Sequence, residues 1–409
     1  MTATERLLPP GEALDLVFAN VTHRLPAEEI DLLEAPGRIL SGPLVADRDL
    51  PPFPASTMDG FAVIADDVSP WREIIADQFA GDMQDIEVTE GTCARIMTGA
   101  PVPKGADAVV PVEKTELRDD HMVADEDEIV EGANIRPIGS DLRKGDVLIE
   151  AGTTLGPAEI GLLASLGHAR VNVVRRPRVS VLSTGDELVP PDQEPGPGQI
   201  RDSNRFSLKA AAESAGCEVI YCGHGPDVED ELRALVTDLM KQSDIVITSG
   251  GVSVGDKDLL KTLFMELGSV HFQRLFMKPG KPLNFMTSGE TIVFGLPGNP
   301  VSALVGFEVF IKTAIRIISG QPNPAPRLAT VRLAESVQSS DRIEYMRAVI
   351  ATDDDGVLWA KTTGPQQSAR LMSLVGANGF ILIAPRETNY QPDEVVEALI
   401  TGHVAQGGT

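Results

Sequence analysis

Between about Pro177 and Ile318 short β-branched runs alternate with helical stretches, and few folds accommodate that pattern. Residues 178–184, 218–222, 244–248, 270–277 and 291–295 read as strands. Residues 203–215 read as a helix closed by Gly216, and Leu232, Leu235, Val236, Leu239 and Met240 mark one face of a second helix. A third helix spans 259–267 up to Gly268, and Asn299-Pro300 opens a long one through Ile318. Such alternation demands right-handed crossovers and a mostly parallel, doubly wound sheet covered on both faces.

The flanking segments read differently. Leu14, Val17, Phe18 and Val21 give an opening amphipathic helix that stops near residues 23–26. Residues 51–139 hold short apolar runs broken by Gly and Pro, the pattern of a small all-β domain. A strand and turn follow at 145–152, then a helix from Pro157 to Gly167. Residues 321–326 form a Pro-rich linker, beyond which apolar runs at 345–350 and 380–384 predict a small β domain. The fold class expected is therefore multidomain, α/β plus all-β.

Composition narrows the function. The formal charge of −25 opposes binding to nucleic acid or an anionic membrane. No apolar run is long enough to span a bilayer, and residues 1–11 lack the pattern of a secretory signal, so a cytoplasmic protein is expected. Cys93, Cys217 and Cys222 offer neither a disulfide framework nor metal spacing, and the six histidines are scattered.

In an open parallel sheet ligands bind beyond the carboxyl ends of the strands. Four loops leave those ends: Ser183-Thr184-Gly185-Asp186-Glu187, Gly223-His224-Gly225-Pro226-Asp227, the stretch from Ser249, Gly250 and Gly251 through Ser253 and Gly255 to Asp258, and Leu296-Pro297-Gly298-Asn299-Pro300. Glycines of the third loop permit backbone N–H groups to approach an anion, although it lacks the G-K-[ST] ending of a Walker A loop. Asp186, Glu187, Asp227 and Asp258 are candidate magnesium ligands bridging phosphates, with N-capping the alternative for Asp227 and Asp258. Arg274, Lys278 and Lys281 place cations by the same edge of an acidic chain, which favours an anion site over a merely solvated turn.

Six stretches taken together carry a specific resemblance. Thr57-Met58-Asp59-Gly60-Phe61-Ala62, residues 95–103 from Arg95 to Pro103, Thr184-Gly185-Asp186-Glu187-Leu188, residues 249–256, Lys278-Pro279-Gly280-Lys281-Pro282 and residues 296–302 occur in order along the chain. They resemble the molybdopterin molybdenumtransferases, the MoeA and gephyrin E-domain family. The resemblance implies a homodimer with a shared active site, and a reaction that inserts molybdate into adenylylated molybdopterin with magnesium-dependent release of AMP. A transient contact with the molybdopterin adenylyltransferase goes with it.

The implied division is an amino-terminal helix at 1–26 packing on the α/β domain, a linking and dimer-forming domain from 27–50 with 140–176, a β-rich domain at 51–139, the molybdopterin-binding α/β domain at 177–326 and a β domain at 327–409. By the same resemblance Asp59, Thr98, Asp141, Glu187, Asp227 and Asp258 are catalytic, with the first three arriving from the partner subunit. Thr184, Asp186, Ser249, Gly250, Gly251, Ser253, Gly255, Arg274, Lys278, Lys281, Pro297 and Pro300 would bind substrate, and Arg347, Ser368 and Arg370 would line the molybdate region. Lys257 and Arg274 depart from the family's usual aromatic and lysine. Two other readings are a non-catalytic scaffold, for which the chain lacks an appended amino-terminal domain and long linker, and an α/β domain serving another nucleotide.

Overall fold

The computed structural model describes residues 6–81, 84–125, 129–226, 228–251 and 259–407. The chain forms two compact units, one of Met1–Gly42, Ala151–Ile160 and Ala169–Thr409, the other of Pro43–Glu150 and Gly161–His168.

The first unit contains a six-stranded sheet in the order Glu218–His224, Arg178–Ser183, Ile245–Ser249, Thr291–Leu296, Pro282–Ser288, Ser269–Arg274. The first four strands are parallel and the last two join antiparallel. Strand alternation sorts the two faces. Val179, Val181, Ile245 and Ile247 enter one buried cluster with Leu208 and Val305, whereas Leu182 and Val246 enter another with Val236 and Leu263. Helices Asn204–Ser214 and Pro300–Gly306 therefore cover one face, and Glu229–Gln242 and Leu259–Leu267 the other. Burial from both sides is why the central strands read as continuous apolar runs.

Three expectations are corrected in detail. Pro282–Ser288 is a strand that the sequence reading passed over; it turns at Gly289, where φ is +58°, into Thr291–Leu296. The expected strand 270–277 is two, because the chain leaves the sheet after Arg274 and Met277–Lys278 pairs with Ile343–Glu344 elsewhere. The long helix to Ile318 contains a π turn at Phe307–Ile311, which keeps Phe307 and Phe310 in the core.

The opening helix spans Pro10–Asn20, and Ala13 and Val17 join the first α/β cluster. Phe18 is 38% exposed, since a residue one step beyond Val17 turns about 100° off the buried stripe. The carboxyl-terminal sheet runs Met277–Lys278, Ile343–Thr352, Leu358–Thr362, Leu328–Leu333, Val395–Ile400, Gly379–Ile383, and Gly379–Ile383 pairs back onto Ile343–Thr352, closing a small barrel.

The second unit is built on a six-stranded sheet ordered Ala108–Pro111, Gly60–Val63, Thr92–Ile96, Arg72–Gln78, His121–Ala124, Thr115–Arg118. Phe61, Val63, Cys93, Val110 and Met122 form a core on it. Burial pushes the Cys93 thiol, and that of Cys217 in the other unit, up to about 12, so both behave as apolar filling. No helix among the described residues is long and apolar enough to cross a membrane.

Candidate active site

Strand Arg178–Ser183 sends its crossover to one side of the sheet and Ile245–Ser249 lies on the other, so the topological switch falls between their carboxyl ends. Two loops meet there at backbone distance. The Thr184 N–H donates to the Ser249 carbonyl at 2.9 Å, and the Gly250 N–H to the Leu296 carbonyl at 3.1 Å. Gly250 has φ of +89°, and a Cβ on it would stand 2.2 Å from the Thr184 carbonyl oxygen. Only glycine fits this approach.

Around the junction lies a cavity of about 640 Å³, walled by Thr184, Gly185, Glu187, Ser249, Gly250, Gly251, Pro297 and Pro300 among others. Its floor is a buried polar layer. Asn204 donates to the Ser249 hydroxyl at 2.7 Å and the Gly298 carbonyl at 2.8 Å, and Ser183 donates to Asp202 at 2.5 Å. Asp202 in turn faces Arg205 at 3.3 Å. Two buried oxygens, Asn204 Oδ1 and Thr184 Oγ1, have no hydrogen-bond partner among the described residues. Each carries a desolvation cost of about 1–3 kcal/mol.

A second cavity, of about 580 Å³, shares Pro282, Pro297 and Asn299 with the first and is lined by Lys278, Lys281, Arg342 and Ser368. Asn299 does not cap the following helix with its side chain; it donates to the Ser368 hydroxyl at 3.1 Å instead. The Ser368 carbonyl accepts from Val301 N–H at 3.2 Å, which fixes the loop from Gly364 to Ser368 against that helix start. Lys278 reaches Glu344 at 3.2 Å, and Glu344 is buried to 1% exposure while the lysine side chain keeps 43%.

Arg347 lies beneath this second cavity rather than on its wall. Its side chain is fully buried, donating from Nε to Ser373 Oγ at 3.0 Å and from Nη2 to the Gln367 carbonyl at 3.2 Å. The Gln366 side chain accepts from the Arg347 backbone N–H at 2.9 Å. Burial lowers the guanidinium to about 10, with Glu344 acting in the opposite direction, and Nη1 has no hydrogen-bond partner among the described residues. Arg347 thus carries the loop that supplies Gln366, Gln367 and Ser368 to the wall.

The other sequence candidates fall as follows. Asp186 is exposed and outside the lining, whereas Glu187 lines the larger cavity. Asp227, Ser253, Gly255 and Asp258 lie outside the described residues. Arg274 ends its strand, half-buried, opposite Pro282, and Arg370 is exposed; neither lines the two cavities or forms an ion pair among the described residues.

In the other unit Asp59 accepts from the Thr98 N–H at 2.7 Å and its hydroxyl at 2.8 Å, and these two bonds hold the Asp59 carboxyl below its ordinary value. Asp141 is ion-paired with Arg136. Gly60, next to Asp59, could not carry a Cβ, which would lie 2.0 Å from the Val110 carbonyl oxygen.

Sequence reasoning missed Asp202, Asn204 and Glu344. Asp202-Ser203-Asn204 looks like an ordinary polar helix start, and only its place under the switch-point loops makes it a cavity floor. Glu344 carried a signal: a carboxylate opening the apolar run 345–350 on a buried strand needs a cation.

Comparison with known proteins agrees with this arrangement. Residues 8–167 match the MoeA N-terminal region (domain I and II), 180–317 a probable molybdopterin binding domain, and 330–401 the MoeA C-terminal region (domain IV). The chain is 37% identical to a molybdopterin molybdenumtransferase of Haemophilus influenzae, over 94% of this chain and 97% of that one. It is 34% identical to a molybdopterin molybdenumtransferase of Bacillus subtilis, over 91% and 89%. A crystal structure of a molybdopterin biosynthesis MoeA protein from Pyrococcus horikosii superimposes with a TM-score of 0.83 at 29% identity, covering 97% of this chain and all of the other. With similarity of that extent spanning every domain, the chain belongs to the MoeA family of molybdopterin molybdenumtransferases.

Proposed function

We propose that this chain is a molybdopterin molybdenumtransferase that takes adenylylated molybdopterin and molybdate, releases AMP and leaves molybdenum on the dithiolene. The observation that carries the reading is the pair of cavities sharing the wall of Pro297 and Asn299. The larger is in the size range of small-molecule sites and has a polar floor of Asn204, Asp202 and Ser249 that suits a polar heterocycle. The other gathers Lys278 and Lys281, with the Ser368 hydroxyl beside them, as suits a compact tetrahedral dianion. Cavities that adjoin in this way let the two ligands meet at their common edge, where reacting atoms must come within about 3–3.5 Å.

Within this proposal the Gly250 and Gly251 backbone and the lysines hold anionic groups, and the floor of Asn204 and Ser249 orients the heterocycle. Glu187 on the cavity wall and the exposed Asp186 beside it present carboxylate oxygens of the kind magnesium accepts, and with Asp227 and Asp258, which lie outside the described residues, they would hold that ion. When bound, it would neutralise charge on the phosphates being separated. Asp59, Thr98 and Asp141 belong to the same proposal as contributions from the partner of a homodimer, and the adenylyltransferase as the transient donor of substrate in the cytoplasm. Purified protein incubated with adenylylated molybdopterin, molybdate and magnesium should release AMP and reconstitute a molybdenum-dependent apoenzyme. Absence of both products overturns the reading.

A further inference from the structure

The sheet has a second pocket at its other end. Strand Arg178–Ser183 carries Thr184 at its carboxyl end and Pro177 at its amino end, roughly 20 Å apart for six residues of extended chain. Beside Pro177 lies a cavity of about 250 Å³ whose lining includes Arg38, Arg175, Arg176, Lys312 and Arg316 and no carboxylate. In a chain of net charge −25 such a grouping is not a consequence of composition.

The cations are unevenly neutralised. Arg38 pairs with Glu28, Arg175 makes two bonds of 2.9 Å to Asp244, and Lys312 meets Glu308 at 2.9 Å. Arg176 is exposed and forms no ion pair among the described residues. Among the described residues the Arg316 side chain bonds only the Ala325 carbonyl, at 3.0 Å, and burial lowers its guanidinium, with Arg327 adding to the effect and Glu308 opposing it. Helix Asn204–Ser214 ends at the same cavity, but the partial negative charge of a helix carboxyl end, about half a unit, falls short of two unmatched guanidiniums.

We propose that this cavity binds one small tetrahedral oxyanion, held by Arg316 from inside and Arg176 from the rim. Its volume lies below the usual range for larger organic ligands, so the pterin nucleotide does not fit, whereas inorganic phosphate, sulfate or molybdate does. Planar guanidinium forks suit such oxygens in bidentate geometry.

The test is calorimetric titration of the whole protein with inorganic phosphate at ionic strength fixed by chloride, repeated for Arg176→Gln, Arg316→Gln and Lys278→Gln. Loss of one charge-assisted contact should weaken phosphate binding at this cavity about tenfold to hundredfold in each arginine variant, while Lys278→Gln removes only the phosphate that the Lys278 cavity takes and leaves the isotherm of this one in place. Arg176 is exposed and forms no ion pair among the described residues, so its variant decides the matter even where Arg316→Gln lowers the melting temperature. Competition by sulfate and molybdate at the same affinity extends the site to tetrahedral dianions in general, and phosphate alone restricts it to phosphate; both support the site. No saturable binding in the wild type, or binding lost in Lys278→Gln and kept in both arginine variants, overturns it.

Discussion

Replacing Gly250 with alanine should damage the candidate active site more than its single methyl suggests. The residue sits at φ +89°, a region that costs an L-residue about 1–2 kcal/mol. The new Cβ would also meet the Thr184 carbonyl oxygen at 2.2 Å, far inside van der Waals contact. Relief requires the two loops to part, which strains the Thr184 to Ser249 and Gly250 to Leu296 backbone bonds, each worth about 0.5–1.5 kcal/mol. The sum is about 2–5 kcal/mol, or roughly 4–20 °C in the melting temperature of a domain this size. Catalysis should suffer further, since a shift of about 1 Å in a positioning wall can cost on the order of a hundredfold in rate. Gly298→Ala is the control: it lines the same cavity, but its nearest atom to a new Cβ is at 4.0 Å and its φ is not positive. Thermal unfolding and AMP release would be measured on both variants. Equal melting temperatures and turnover for the two would refute the backbone argument.

Thr98→Val removes the hydroxyl but not the N–H from Asp59, so the Asp59 titration followed by NMR should rise part of the way toward 3.8; an unmoved midpoint counts against the hydroxyl's role. Because that carboxyl is depressed in the folded state, its stabilising effect is present above the unfolded value near 3.8 and fades as pH falls through the folded one, a window that narrows in the variant. Asp59→Ala and Glu187→Ala proteins, each inactive, should regain part of the activity when mixed under subunit exchange, and no recovery despite proven exchange argues against a shared site. Arg347→Ala should raise the molybdate concentration needed for insertion about tenfold or more while leaving adenylylated pterin affinity nearly unchanged, because the guanidinium holds the loop bearing Gln367 and Ser368. The reverse pattern would assign that loop to the pterin.

What the sequence made legible was periodic or glycine-marked. The strand and helix alternation after Pro177, the helix ends at Gly167 and Gly216, and the conjunction of Gly185, Gly250 and Gly251 all follow from local backbone preference. What it hid depends on register. Asn204 becomes a cavity floor only because parallel pairing sets Ser183 beside Ser249, and no local rule says which helix start will lie under that pair. Arg347 read as a cation facing a ligand, yet Ser373 and the loop bearing Gln366 and Gln367 close over it and leave its side chain buried. Pro282–Ser288 escaped notice because its proline and the preceding Lys-Pro-Gly-Lys run look like the end of an element rather than its start.

The two-residue strand Met277–Lys278 has a mechanical meaning. Three residues after leaving the α/β sheet the chain adds a strand to the carboxyl-terminal barrel, with Lys278 opposite Glu344. An opening of the barrel that frees Ile343–Thr352 would also release the cation from its cavity wall. Amide exchange at Lys278 should therefore follow the protection of the barrel and not that of the neighbouring sheet. Thermal loosening of a domain that contributes few residues to the larger cavity would reach the anion pocket first, so heat should erode oxyanion affinity before it erodes affinity for the pterin nucleotide.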